Sequence, residues 1–152
     1  GELYDPYGQT YWSRDFITHR LLKQPTIATL LPRYTGVIAK DRAAHIVKQL
    51  ENEHMFGPAY PVPSVPLDSP QFDPDRYWQG PSWVNMNWLI IEGLKQYGYN
   101  DHAAALTETT LEMVKRSGIA EYFDPNTGEP LGAHNFSWTA ALVLDLLSSS
   151  KK

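Results

Sequence analysis

With 152 residues, a net charge of −4 and no cysteine, the chain fits a single domain. Its acidic balance, with no Lys/Arg block to offset it, argues against nucleic acid, and the missing thiols exclude disulfides and thiolate metal sites. Hydrophobic residues at 42% and charged residues at 20% allow a packed core, and no apolar run is long enough to span a bilayer.

The chain opens on Gly1-Glu2-Leu3 rather than Met, with no visible secretory leader. The natural start is therefore expected upstream, and a cytoplasmic location is the expectation. Residues 1–24 carry turn signals, Asp5-Pro6-Tyr7-Gly8, and then a mixed aromatic and basic stretch. Helical spacing begins around Thr26–Ala39. Next, Ala43, Ile46, Val47 and Leu50 fall at i, i+3, i+4, i+7 on one helix face, with Asp41 as a start signal.

Residues 54–80 form a long connection through Pro58, Pro61, Pro63, Pro66, Pro70 and Pro74. Proline removes donors and stiffens the chain, so neither a helix nor a central strand is expected there. Aromatic ends, Phe56 and Tyr60 on one side, Phe72, Tyr77 and Trp78 on the other, favour a packed loop over a floppy linker.

Pro81 suits the first turn of a helix over 81–97. That helix is apolar nearly all round and is expected to be buried. Gly98 ends it, Asn100 or Asp101 caps the next, over 101–117, and Gly118 stops that one; Leu106, Thr110, Met113 and Val114 make its inward stripe. A hairpin-like stretch, 119–134, turns at Asp124-Pro125-Asn126-Thr127-Gly128. Ser137 caps a last helix, Trp138–Leu147, and the tail Ser148–Lys152 is expected to fray. Glu2–Gly8 faintly echoes Glu121–Gly128.

Two segments concentrate residues suited to chemistry. Arg76–Trp88 holds three tryptophans, a tyrosine and two asparagines, and Glu121-Tyr122-Phe123 places a carboxylate beside two rings. Rings stack on the C–H faces of a sugar, and amides and carboxylates bind its hydroxyls. Each residue also has a plainer reading. A glutamate in a turn is most often a solvated carboxylate, and on local sequence that reading of Glu121 wins. Tyr77, Trp78 and Trp83 are stacking platforms or core; Trp83 stands between the two, and Trp88, deeper in the helix, reads as core. Gln79, Asn85 and Asn87 need partners if buried, either backbone or ligand hydroxyls. Asp124, Asn126, Thr127 and Glu129 form a simple turn rather than a calcium loop. The histidines show no paired metal-ligand spacing, so neither metal nor cofactor is called for.

The motifs Arg76-Tyr77-Trp78-Gln79-Gly80-Pro81-Ser82-Trp83-Val84-Asn85-Met86-Asn87-Trp88, Glu121-Tyr122-Phe123-Asp124-Pro125 and Gly128-Glu129-Pro130-Leu131-Gly132-Ala133 run in order into Phe136-Ser137-Trp138-Thr139-Ala140-Ala141. Together with Tyr60-Pro61-Val62-Pro63-Ser64-Val65 they resemble glycoside hydrolase family 63, nearest its bacterial mannosylglycerate and glucosylglycerate hydrolases. The resemblance implies an all-α fold of antiparallel helical hairpins, part of an (α/α)6 barrel. It also implies inverting hydrolysis of a small α-glycoside, with a general acid and a general base on opposite faces. Glu121 matches the family's general base. Tyr77, Trp78 and Trp83 match aromatic positions lining the sugar pocket, and Gln79 is an adjacent candidate.

The chain also departs from that pattern. The family's general acid lies in a Gly-Trp-Asp type motif, which is absent here. About twelve helices make the barrel, against roughly five expected in this chain from ordinary helix lengths. Residues 1–152 therefore resemble the C-terminal portion of the catalytic domain, inactive in isolation. The expected partners are a small saccharide or glycoside and the remainder of the barrel, or a second copy through homo-oligomer formation or a domain swap. The competing expectation is a non-catalytic carbohydrate-binding or structural helical module; an upstream Trp-Asp motif separates the two.

Overall fold

Apolar residues at helical spacing become four α-helices in the computed structural model, which describes residues 2–149. These are α1 (Lys40–Glu51), α2 (Val84–Gln96), α3 (Asn100–Ser117) and α4 (Ser137–Ser149). Three two-stranded antiparallel ladders accompany them among the described residues: β1 (Tyr4–Asp5) with β2 (Thr10–Tyr11), β3 (Ser13–Arg14) with β4 (Leu21–Leu22), and β5 (Ala120–Phe123) with β6 (Pro130–His134). The all-α expectation is thereby corrected to a mostly helical chain with small antiparallel sheets. No helix among the described residues is long and apolar enough to cross a membrane.

α1 buries Ala43, Ile46 and Val47, as the spacing requires. Its cap is Ala39 rather than an acid; Asp41 lies inside the first turn, where its charge meets the positive helix end. The helix expected over 26–39 is instead two 3-10 turns, Ile27–Thr29 and Leu31–Thr35. Pro32 explains the difference: it has no amide to donate, so a continuous α-helical ladder cannot run through it.

α2 is central, packed against the second 3-10 turn, α3 and α4. Val84, Ile90, Ile91 and Leu94 are buried along it. It starts at Val84, not Pro81, because Ser82 is drawn into extended pairing. The Ser82 amide donates to the Phe123 carbonyl at 2.8 Å, and the Phe123 amide donates back at 2.9 Å. A Cβ on Gly93 would lie 3.0 Å from the Tyr34 nitrogen, so a bare position lets the turn pack directly on the helix. The buried Asn87 amide finds its partners in the protein: it accepts from the Val62 amide at 2.9 Å and donates to the Pro61 carbonyl at 2.8 Å and Thr110 Oγ1 at 3.1 Å. A buried polar group left unpaired costs about 1–3 kcal/mol, so Asn87 pins the Pro-rich loop to α2 and α3.

Gly98, at φ 77°, turns the chain after α2. α3 begins at Asn100 with Tyr99 in the cap position, so neither Asn100 nor Asp101 caps it by a side chain. Its inward stripe is Ala103, Leu106, Thr110, Met113 and Val114, and Gly118 closes it at φ 85°. α4 begins with Ser137 as its first helical residue rather than its cap. It buries Thr139 and Leu146, while Trp138, Leu144 and Leu147 are exposed. Ser148 and Ser149 are helical rather than frayed; the rest of the expected frayed tail lies outside the described residues.

The echo between the two Asp-Pro turns has a common mechanism. Asp5 Oδ1 accepts the Tyr7 amide at 3.0 Å, and Asp124 Oδ1 accepts the Asn126 amide at 2.7 Å, each an Asx turn. Asp5 also binds Lys23 Nζ at 2.7 Å and the Trp12 indole N–H at 3.3 Å. The Lys23 ammonium, aided by these donors, lowers the Asp5 carboxyl from 3.8 to about 2. A lowered folded-state value means that Asp5 contributes stability above pH 3.8, and that this is lost as pH falls through about 2. We expect the β1–β2 hairpin to open over that acid window, followed by the Trp12 indole proton in NMR spectra. Asp5→Asn should remove this pH dependence; an unchanged acid transition in the variant would contradict the assignment.

Candidate functional site

The two chemically dense segments meet at the N-terminal end of α2. The Ser82–Phe123 pairing brings β5 to the start of α2, and Thr139 Oγ1, donating to the Ala120 carbonyl at 2.7 Å, fastens β5 to α4. Glu121 sits mid-strand on this hairpin, beside the Arg76–Trp83 loop.

The hairpin is irregular where Glu121 lies. Ala120 pairs with His134 but Tyr122 pairs with Leu131, so Gly132 and Ala133 together oppose Glu121. This is a β-bulge, with Gly132 left-handed at φ 72°. Its effect is to aim the Ala133 amide at the carboxylate, and that amide donates to Glu121 Oε2 at 3.1 Å. The other oxygen, Oε1, accepts from the Tyr77 hydroxyl at 3.0 Å. The carboxylate is half-buried and each oxygen holds one neutral donor.

The Tyr77 ring whose hydroxyl reaches it belongs to a cluster of four rings. Trp78 lies flat on Trp83, centroids 4.0 Å apart at 4°, and Tyr122 covers Trp83 at 4.9 Å and 24°. Tyr77 stands nearly perpendicular to Trp78, Trp83 and Tyr122, at 82°, 85° and 86°. The Tyr77 backbone is left-handed at φ 40°, and its carbonyl accepts the Trp83 indole N–H at 3.2 Å. Glu121 raises the Tyr77 phenol above its usual 10.0, first through the hydrogen bond to its carboxylate, with partial burial and the carboxylate's charge adding to it. Tyr77 is thus held protonated, as a donor.

Of the sequence-derived residues, Tyr77, Trp78, Trp83 and Glu121 are brought together. Trp83 is 2% exposed with a ring on each face, whereas Tyr77 and Trp78 are 49% and 40% exposed. The open aromatic surface is therefore that of Tyr77 and Trp78, with Trp83 as their backing. Gln79 closes the loop through its backbone, its amide donating to Arg76 at 2.7 Å and its carbonyl accepting from Asp73 at 2.9 Å. Trp88 is half-buried and donates to Asp145 Oδ2 at 2.8 Å. Sequence reasoning named Tyr122 only as a ring beside Glu121 and gave no role to Gly132 or the Ala133 amide. A glycine inside a strand is the recognised sign of a bulge and could have pointed to the last two. Among the described residues no group of His, Asp and Glu is placed to hold a metal.

A separate apolar groove of about 1130 Å³ runs between α3 and α4, lined by Ala104, Leu111, Ile119, Val143 and Leu147 among others. It does not include Glu121 or the four rings.

Comparison with known proteins places this geometry in a wider set. The family model described as "Mannosylglycerate hydrolase MGH1-like glycoside hydrolase domain" matches residues 1–139. The mannosylglycerate hydrolase of Thermus thermophilus is 38% identical over 144 residues, covering 93% of this chain and 34% of that protein. The glucosylglycerate hydrolase of Mycolicibacterium hassiacum is 36% identical over 141 residues, covering 89% of this chain and 32% of that protein. A crystal structure of the GH63 mannosylglycerate hydrolase from Thermus thermophilus, in complex with Tris and D-glycerate, matches at a TM-score of 0.89 and 37% identity, over 96% of this chain and 35% of that one. The chain thus spans about a third of the length of these relatives.

Proposed function

The chain belongs to the MGH1-like mannosylglycerate hydrolase family of glycoside hydrolases, and from that premise we propose that it carries the water-activating side of an inverting α-glycosidase site. The substrates are small α-mannosides or α-glucosides, of which mannosylglycerate and glucosylglycerate are the first to try. Glu121 is the general base. It takes a proton from water as that water attacks the anomeric carbon. A carboxylic acid on the opposite face of the sugar protonates the leaving oxygen. That acid comes from the rest of an (α/α)6 barrel, to which these helices contribute the C-terminal portion. Tyr77 and Trp78 offer open rings to the sugar, Trp83 backs them, and Gln79 lies at the rim.

One observation carries the reading: a half-buried carboxylate with a neutral donor on each oxygen, beside two open aromatic rings. A donor on each oxygen orients the group, and neither donor neutralises its charge. The exposed Trp138, Leu144 and Leu147 of α4, together with the neighbouring groove, suit a covering partner, either further helices of the barrel or a second copy.

The stereochemistry tests the mechanism. When the full-length polypeptide cleaves mannosylglycerate, proton NMR should first detect the β-anomer of the released sugar, with the α-anomer appearing only by mutarotation. Initial release of the α-anomer would assign a retaining reaction and remove Glu121 from the role of base.

A further inference from the structure

We propose that Tyr77 is a positioning residue for Glu121: its phenol and the Ala133 amide together fix the carboxylate so that a free lone pair faces the attacking water. The assignment rests on Glu121 being the base. It gives Tyr77 a task distinct from sugar stacking.

The geometry supports that task in three ways. First, the Tyr77 hydroxyl is committed at 3.0 Å to one oxygen, while the backbone at Ala133 holds the other at 3.1 Å. A carboxylate gripped at both oxygens cannot rotate about its last bond without giving up a donor. Second, the Tyr77 ring has little freedom to swing. Trp78, Trp83 and Tyr122 all stand close to perpendicular to it, with centroids 5.1–6.1 Å away. Third, its backbone sits at φ 40°, a conformation uncommon for a bulky residue, and the Trp83 indole clamps its carbonyl there. Strained backbone persists where the surroundings over-determine it, which is a recurring feature of functional sites. The raised phenol value agrees, since it follows from donation to the carboxylate.

The experiment uses the full-length polypeptide with mannosylglycerate as the probe. Tyr77→Phe keeps the ring and removes only the donor. We expect kcat to fall about ten- to a hundred-fold, the scale of a hydrogen bond to a charged group, with KM within about three-fold of parental. In a Glu121→Gln background the added Tyr77→Phe change should cost no more than about two-fold, because the group it positions is gone. In addition, the Tyr77 phenol resonance should titrate at lower pH in Glu121→Gln than in the parent. A parental kcat in Tyr77→Phe, or a KM increase with kcat kept, would make Tyr77 an ordinary sugar contact. An unmoved phenol titration would deny the contact itself. Near-parental turnover in Glu121→Gln alone is a different result, and would overturn the base reading together with this assignment.

Discussion

Glu121→Gln in the full-length polypeptide is expected to lower turnover about a hundred- to ten-thousand-fold, with sugar affinity largely kept. The substitution is close to isosteric. Its amide oxygen can still accept the Ala133 N–H while its NH2 donates to the Tyr77 hydroxyl oxygen, so the hairpin should stay in place. What disappears is the capacity to take a proton from water. The rings that would hold the sugar, Tyr77 and Trp78, are untouched, which separates the effect on kcat from that on KM. Steady-state kinetics on purified parent and variant decide it. A variant within about ten-fold of parent would leave Glu121 only the structural role of tying the bulge to Tyr77.

Gly132→Ala is expected to have the next largest effect, although the residue offers no chemistry of its own. At φ 72° a side chain is strained by about 1–3 kcal/mol. The added Cβ would also lie 2.5 Å from Tyr122 Cε1, 2.7 Å from Glu121 Oε2 and 2.9 Å from Glu121 Cβ. Relief requires Glu121 and Tyr122 to move, or the bulge to reopen, and each displaces the carboxylate from its donors. A misplacement of about 1 Å can cost about a hundred-fold in rate, so turnover should fall on that order, with a modest loss of thermal stability. Parental turnover at a lowered melting temperature would show that the bulge serves the hairpin and not the chemistry.

The glycine stops and the helical spacing were legible in the sequence. Gly98 and Gly118 end α2 and α3 because both positions need a positive φ, which a sequence reader can anticipate. The Asp124–Gly128 turn was legible for the same kind of local reason. The stretch 26–39 misled because its apolar spacing says nothing about the hydrogen bond that Pro32 removes. Likewise Pro81 looked like a helix start, since nothing local announces that Ser82 pairs with Phe123, 41 positions away by the numbering. At the site, the residue types pointed to a sugar pocket, and the motif order pointed to the family. The division of labour among the rings was not legible. Whether Trp83 shows a face to solvent depends on Trp78 lying on one side and Tyr122 on the other, and Tyr122 reaches it only through the hairpin. The bulge is a property of two strands in register, so Gly132 shows its purpose only once β5 and β6 are paired.

The reciprocal Ser82–Phe123 amide pair, with Ser82 also bridged to Pro63, joins three stretches that are far apart along the chain. Such a junction closes only after long loops have been brought together, so it belongs to the slow end of assembly. Because the Glu121 side chain hangs from the same strand, the proposed general base and the junction are expected to appear and vanish as one cooperative unit. Deuterium uptake at the Ser82 and Phe123 amides should then track each other and lag behind that of the exposed β1–β2 turn. Their common opening free energy would set the fraction of molecules that hold the Glu121 carboxylate in place at any moment.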